Sequence, residues 1–306
     1  MKLFDVVLLT ESRYYEPDTV DWYIRNILDE DELLRIELES KGLKVTRQDW
    51  ASEFDWSSTR SVLFRTTWDY FNRITEFSDW LEYVSGRTNL INPLHLIRWN
   101  MDKRYLIDLG KKGIPIPPTV IIEQGTRVSL REVLHQTGWK ESILKPAVSG
   151  AARHTFRLDQ SNLQEHEKTF MKLVRQETML IQEFQYHILE RGEVAFMLFG
   201  GKFSHAIQKK AKPGDFRVQD DFGGTVHAYE PQEDEILFAE NVVSVCDTVP
   251  AYARVDAIWD NSGNLVVSEL ELIEPELWFR FCPESAGRMA ASVANELAGM
   301  HTDNIP

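Results

Sequence analysis

From Ala253 to Pro275 the chain reads ARVDAIWDNSGNLVVSELELIEP. Two apolar, β-rich runs, 255–259 and 265–272, flank Asp260-Asn261-Ser262-Gly263-Asn264, a cluster of turn-forming residues. The pattern predicts a β-hairpin. With the turn centred between Ser262 and Gly263, Asp256 falls opposite Glu269. Glu271 joins Glu269 on the same face, because side chains two apart on a strand point the same way. Three carboxylates then converge on one side of a largely buried ribbon, where like charges repel and burial is costly. A divalent cation removes the conflict. Oxygen ligands with no Cys/His set beside them favour Mg²⁺ over Zn²⁺, and Mg²⁺ held by few carboxylates completes its shell with water and phosphate oxygens. The plainer alternative is an amphipathic hairpin whose acidic face is solvated.

The rest of the chain must supply the phosphate partner. Residues 142–147 read as a strand carrying Lys145 in apolar surroundings, where an unpaired ammonium is costly and an anionic partner is expected. Ser149 and Gly150 follow in a run of small residues, Val148 to Ala152, that lets backbone N–H groups approach an anion. Near the amino terminus, a strand at 4–9, a helix at 18–40, and strands at 44–49 and 61–65 predict an α/β unit with a parallel sheet. Ligands in such sheets sit beyond the carboxyl ends of the strands. There the third strand runs into Arg65-Thr66-Thr67-Trp68-Asp69-Tyr70. Arg65 suits a carboxylate bidentately and Asp69 suits an amino group; a surface loop with an Arg–Asp pair is the alternative. Further along, helices are expected at 100–112, 163–175, 235–247 and 285–299. Strands are expected at 119–122, 179–184, 192–199 and 202–208, the last two turned at Gly200-Gly201.

Composition sets the outer limits. The chain has 306 residues, 43% hydrophobic and 27% charged, enough for two domains or one elaborated one. Its 34 basic and 48 acidic residues give a net charge of −14, which weighs against nucleic acid or an anionic membrane as partner. Two distant cysteines, Cys246 and Cys282, suit reduced thiols in the cytoplasm. No apolar run has the length of a membrane helix, and the apolar start is too short and interrupted by Asp5 to be a signal peptide. There is no G-x-x-x-x-G-K-[ST] loop, no G-x-G-x-x-G after the first strand, no H-E-x-x-H and no G-x-S-x-G.

Six segments in order resemble the ATP-grasp superfamily of carboxylate–amine ligases. They are Asn100-Met101-Asp102-Lys103, Ile143-Leu144-Lys145-Pro146 with Ser149-Gly150, Ile181-Gln182-Glu183-Phe184, Gly214-Asp215-Phe216-Arg217 with Gly223-Gly224, Ala253-Arg254-Val255-Asp256, and Glu269-Leu270-Glu271. The stretch GDFRVQDDFGG resembles the glutathione-synthetase and ribosomal-glutamate-ligase branch. FRTTWDYF and ELELIEPELWF are similar to the cyclo-ligases of cycloserine biosynthesis, which act on O-ureido-serine.

The resemblance implies an α/β and α+β architecture: an N-terminal parallel-sheet substrate domain (1–95), a linker helix and small lid (96–182), and a C-terminal antiparallel-sheet domain with the metal site (183–306). It implies ATP as co-substrate and two Mg²⁺ or Mn²⁺ ions on Asp256, Glu269 and Glu271. The family often has Asn where this chain has Glu271, so tighter metal binding is expected. Lys103 and Lys145 would contact the phosphates, with Ser149 and Gly150 in the loop that closes on them. The Gln182, Glu183 and Phe184 hinge would read adenine through its backbone, with Ile181 and Phe184 flanking the pocket. Glu193 (or Glu190) would hold the ribose, and Lys209 (or Lys210) would approach the nucleotide. Arg217 and Arg254 would neutralise the transferring phosphoryl group, and Arg65, Thr67, Trp68 and Asp69 would contact a small carboxylate or amine substrate. The implied activity is an ADP-forming C–N ligase, with an intramolecular cyclo-ligase as one form. A glutathione-synthetase-type amide ligase, phosphoryl transfer to another acceptor and a non-catalytic ATP-binding protein are the alternatives. The oligomeric state is left open, a homodimer included.

Overall fold

The structure, a computed structural model, describes residues 2–218 and 223–302; residues 219–222 of the GDFRVQDDFGG stretch lie outside it. Strands β1 (Phe4–Thr10), β2 (Val45–Asp49), β3 (Thr59–Thr66) and β4 (Asn89–Ile91) form a parallel sheet in the order β2-β1-β3-β4. The near-continuous apolar runs of β1 and β3 are those of strands covered on both faces. Val6 and Leu8 pack towards Leu34 and Leu38 of the helix Trp22–Ser40, and Val7 and Leu9 towards Phe77 and Leu81 of the helix Ile74–Ser85. The first of these helices starts later than the expected residue 18. Asp21 caps it by accepting the Ile24 N–H at 2.8 Å. Because β2 and β3 flank β1 on opposite sides, the chain reverses direction across the sheet between β1 and β3, and the crevice at their carboxyl ends is where a ligand fits.

Strands β5 (Thr119–Ile122), β6 (Glu141–Pro146), β7 (Phe156–Asp159) and β8 (Met179–Glu183) form an antiparallel sheet in the order β5-β8-β6-β7. One face is covered by the helices Leu130–Thr137 and Leu163–Leu173 through Leu130, Val133, Leu134, Phe170 and Leu173. Along β6, Ser142, Leu144 and Pro146 are buried while Ile143 and Lys145 alternate to the other side.

A third sheet contains β9 (Glu193–Phe199), β10 (Lys202–Lys210), β11 (Thr225–Tyr229), β12 (Tyr252–Trp259) and β13 (Leu265–Glu271), antiparallel in the order β11-β10-β9-β12-β13. Gly200 and Gly201 turn β9 into β10 with φ of 56° and 76°, the left-handed pair that a two-residue hairpin requires. Val194, Phe196, Ala253 and Val255 meet the helix Glu233–Ser244 on one face. Ala195, Met197 and Tyr252 meet Met289, Ala290 and Val293 of the helix Ser285–Thr302 on the other, in a core shared with the first sheet.

The opening hairpin pairs Asp256 with Glu269 and Arg254 with Glu271, as expected, but by a different route. Trp259 pairs with Leu265, so the loop is centred on Ser262, and a bulge at Ser268 restores the register. The expected helix at 100–112 is two short ones, Leu94–Asn100 and Tyr105–Lys111. Asn100 turns its side chain to the edge of β13, donating to the Leu270 carbonyl (2.7 Å) and accepting the Leu272 N–H (2.8 Å). Asp102 accepts the Arg104 N–H at 2.9 Å, and the Lys103 N–H goes to the Ala147 carbonyl. The bonds to β13 cover the open sheet edge, and with the local Asp102 bond they compete with helix continuation.

Candidate active site

The three sheets surround a cavity of about 770 Å³. The first contributes Glu11, Trp68 and Asp69 from the carboxyl ends of β1 and β3. The second contributes Ile143, Lys145, Gln182, Glu183 and Phe184, and the third Glu193, Lys209, Arg254, Asp256, Glu269 and Glu271. Lys103, Ser149, Gly150 and Arg217 complete the set; of the residues expected at the site, Arg65, Thr67 and Ile181 do not line the cavity. Of the two pairs left open in the sequence, Glu193 and Lys209 line the cavity, whereas Glu190 and Lys210 are exposed outside it.

The carboxylates of Asp256, Glu269 and Glu271 offer oxygens that lie within 4.8 Å of one another. Opposed ligands on Mg²⁺ stand roughly 4.2 Å apart, so this donor set, all oxygen and close to that span, fits the ion. Three cations hold the acids together. The Lys103 ammonium is 3.0 Å from Glu269, and Lys209 is 2.5 Å from Glu193 and 3.4 Å from Asp256. Arg254 donates to Asp256 at 2.8 Å, pairs with Glu271, and lies with Lys209 against the Trp278 ring. Burial works against ionisation of Glu269, but Lys103 and Lys145 outweigh it and hold the carboxyl down at about 2. Burial pushes Glu271 up to about 7 despite Arg254. Burial opposes the charge of Lys209, yet Asp256 and Glu193 keep it above its ordinary value. Oppositely charged neighbours thus keep Glu269 and Lys209 ionised against burial, whereas for Glu271 burial prevails.

Lys145 differs from the other cations. Among the described residues no hydrogen bond or ion pair engages its ammonium, which faces the cavity, and burial draws it down to about 8. Beside it the Lys103 ammonium donates to the Ser149 carbonyl at 2.5 Å, tying the glycine loop to the acid cluster.

The structure corrects three expectations. Arg65 is 1% exposed and does not reach the cavity: its guanidinium donates to Glu30 (2.6 Å) and Asp31 (3.2 Å) beneath the sheet. Thr67 is fully buried, and its hydroxyl is without a partner among the described residues. Ile181 points into the core of the second sheet rather than flanking the pocket, as strand alternation requires once Gln182 faces the other way. At the hinge, the Glu183 and Phe184 N–H groups donate to the Pro118 and Glu141 carbonyls.

Several lining residues escaped the sequence reading. Glu11 follows β1 directly, in the place that the strand-end rule marks, and burial raises its carboxyl to about 7. Arg13 pairs with it at 3.1 Å. Glu274, whose carboxyl burial pushes well above the usual range, and Trp278, held at φ 47°, follow the hairpin that carries the three carboxylates. Their signal was present in ELELIEPELWF but not their direction.

Comparison with known proteins agrees with this geometry. The profile of the N-terminal domain of D-cycloserine synthetase DcsG matches residues 6–92. The chain is 31% identical over 275 residues to the cycloserine biosynthesis protein DcsG of Streptomyces lavendulae, covering 84% of this chain and 90% of that one. It superposes on the crystal structure of D-cycloserine synthetase DcsG with a TM-score of 0.84 at 28% identity, over 95% of this chain and 99% of that one. D-alanine–D-alanine ligase from Bacillus anthracis, complexed with ATP, shares the fold (TM-score 0.66, 12% identity, 99% of this chain and 100% of that one). A parallel sheet followed by two antiparallel sheets around a lysine-and-carboxylate cavity is therefore the ATP-grasp architecture, and the chain is an ATP-dependent ligase belonging to the DcsG family.

Proposed function

We propose that this ligase activates the carboxylate of a small amino-acid-like substrate as an acyl phosphate and closes a C–N bond onto it, the nitrogen lying on the same molecule. The carrying observation is the Lys145 ammonium, without a protein partner among the described residues and facing a cavity whose opposite wall holds three convergent carboxylates. A polyphosphate, with a divalent metal that those carboxylates would hold, would satisfy both.

In the first step a substrate carboxylate oxygen attacks the γ-phosphorus of ATP and ADP leaves. In the second the nitrogen attacks the acyl carbon, phosphate departs and the nitrogen loses its proton. Lys103, Lys145 and Arg254 supply fixed positive charge where negative charge gathers, and Arg217 approaches from the segment after β10. Asp256, Glu269 and Glu271 would hold Mg²⁺ or Mn²⁺, two ions in our reading, whose chemistry is charge neutralisation of the phosphates. Glu193 would take the ribose. Trp68 and Asp69 would face the substrate beside Glu11, and closure of the 96–182 unit over them would keep water from the acyl phosphate.

The test is ADP and phosphate release with Mg·ATP and a panel of amino acids that includes O-ureido-serine, with product identification. Turnover with a single carboxylate compound and a cyclised product supports the proposal. A requirement for a second amine favours the intermolecular amide ligase. The absence of ADP formation with every carboxylate, or phosphorylation of another group, overturns it.

A further inference from the structure

Gly150 sits in the loop after β6, and its neighbour, not its backbone, demands glycine. Its φ is not in the left-handed region, but a Cβ built on it would stand 2.6 Å from Cε1 and 2.9 Å from Cδ1 of Phe71. No real Cβ contact is that short, and the ring itself blocks it. Phe71 comes from the other side of the cavity, in the turn Tyr70–Asn72 that follows Trp68 and Asp69. That turn is anchored. Asp69 accepts from the Trp50 indole (2.7 Å) and from Arg73 (2.7 Å), and the Trp68 indole donates to the Glu274 carbonyl at 2.8 Å. The glycine loop is anchored separately, by Lys103 on the Ser149 carbonyl, by the Ser149 hydroxyl on the Arg153 carbonyl (3.1 Å), and by the Arg153–Glu177 pair. Past Gly150, Ala151, Ala152 and His154 hold φ of 48°, 52° and 51°, a region L residues seldom adopt, so contacts rather than preference keep the loop on this path.

We propose that Phe71 is a positioning residue, its ring seated on Gly150 being the contact through which the substrate-facing turn and the phosphate-facing loop close on each other. The inference rests on the reading of the glycine loop as part of the nucleotide site. Filling either half of the cavity fixes one side of the contact and so favours the other half, and the seam between them is shut to water.

The experiment is a double-mutant cycle read by calorimetric affinity for Mg·AMPPNP. Phe71→Ala and Gly150→Ala should each weaken binding roughly tenfold, the range for residues in direct contact. Phe71→Leu, which keeps part of the contact, should lose less than Phe71→Ala. The three atoms nearest the built Cβ, the two under 3.0 Å included, all belong to Phe71, so in the Phe71→Ala background Gly150→Ala should cost almost nothing more. The proposal is overturned if Gly150→Ala costs the same in both backgrounds, or if Phe71→Ala binds as the parent does. Failure of the unmutated protein to bind Mg·AMPPNP would instead bring down the nucleotide-site reading, and this proposal with it.

Discussion

Raising the pH from 7 to 9 should weaken Mg·ATP binding about tenfold through Lys145, offset by about twofold at most as Glu271 becomes fully ionised. Burial holds this ammonium at about 8 in the free protein. It is therefore about nine-tenths charged at pH 7 and one-tenth charged at pH 9. Polyphosphate binds the charged form and pulls its affinity for the proton back up, so a proton is taken up on binding and affinity falls as pH rises through 8. Calorimetry with Mg·AMPPNP in two buffers of different ionisation heat measures both quantities. Proton uptake should be near zero at pH 7 and close to one at pH 9. Lys145→Arg, whose charge does not titrate here, should bind with little pH dependence, and Lys145→Met should bind weakly at both values. A flat profile in the unmutated protein, or an unchanged slope in Lys145→Met, refutes the reasoning.

Other perturbations separate architecture from chemistry. Arg65→Met should destabilise the protein by about 3–5 kcal/mol in urea, because it strands a buried carboxylate, while leaving the substrate KM of the folded protein unchanged; a changed KM at full stability would return Arg65 to the substrate site. His205, whose Nε2–H donates to the Leu277 carbonyl at 2.8 Å, is drawn down to about 4 by burial. Its neutral form is favoured in the fold, so stability present above pH 6.5 is lost as pH falls towards 4, by about 2 kcal/mol between pH 7 and 5. Urea curves at the two pH values should show this loss, and His205→Gln should remove it. Asp256→Ala should abolish turnover yet fold, since Lys209 keeps Glu193 and Arg254 keeps Glu271; activity near the parent level would remove Asp256 from the metal set.

The site was more legible than the scaffold. Carboxylates, lysines and glycines at fixed separations in a hairpin or loop carry their geometry locally, and the Asp256–Glu269 pairing followed from turn residues and period two. Even so, the register was reached with the loop centre misplaced by half a residue, and the Ser268 bulge absorbed the difference. Long-range facts were not readable. Arg65 looks like a ligand-binding arginine until Glu30 and Asp31 arrive from a helix more than thirty residues earlier. The break after Asn100 depends on β13, some 170 residues later. The edge strands β7 and β11 are short, partly exposed and polar, with little apolar alternation to announce them. The helix Ile74–Ser85, by contrast, spaces Phe77, Leu81 and Val84 at helical intervals that are legible in the sequence.

The central claim is that ATP phosphorylates a carboxylate of the substrate. Turnover of O-ureido-serine labelled with ¹⁸O in its carboxylate, followed by mass analysis of the released phosphate, tests it most directly. The acyl-phosphate route predicts one ¹⁸O carried into each phosphate formed. Product formation with unlabelled phosphate would contradict it.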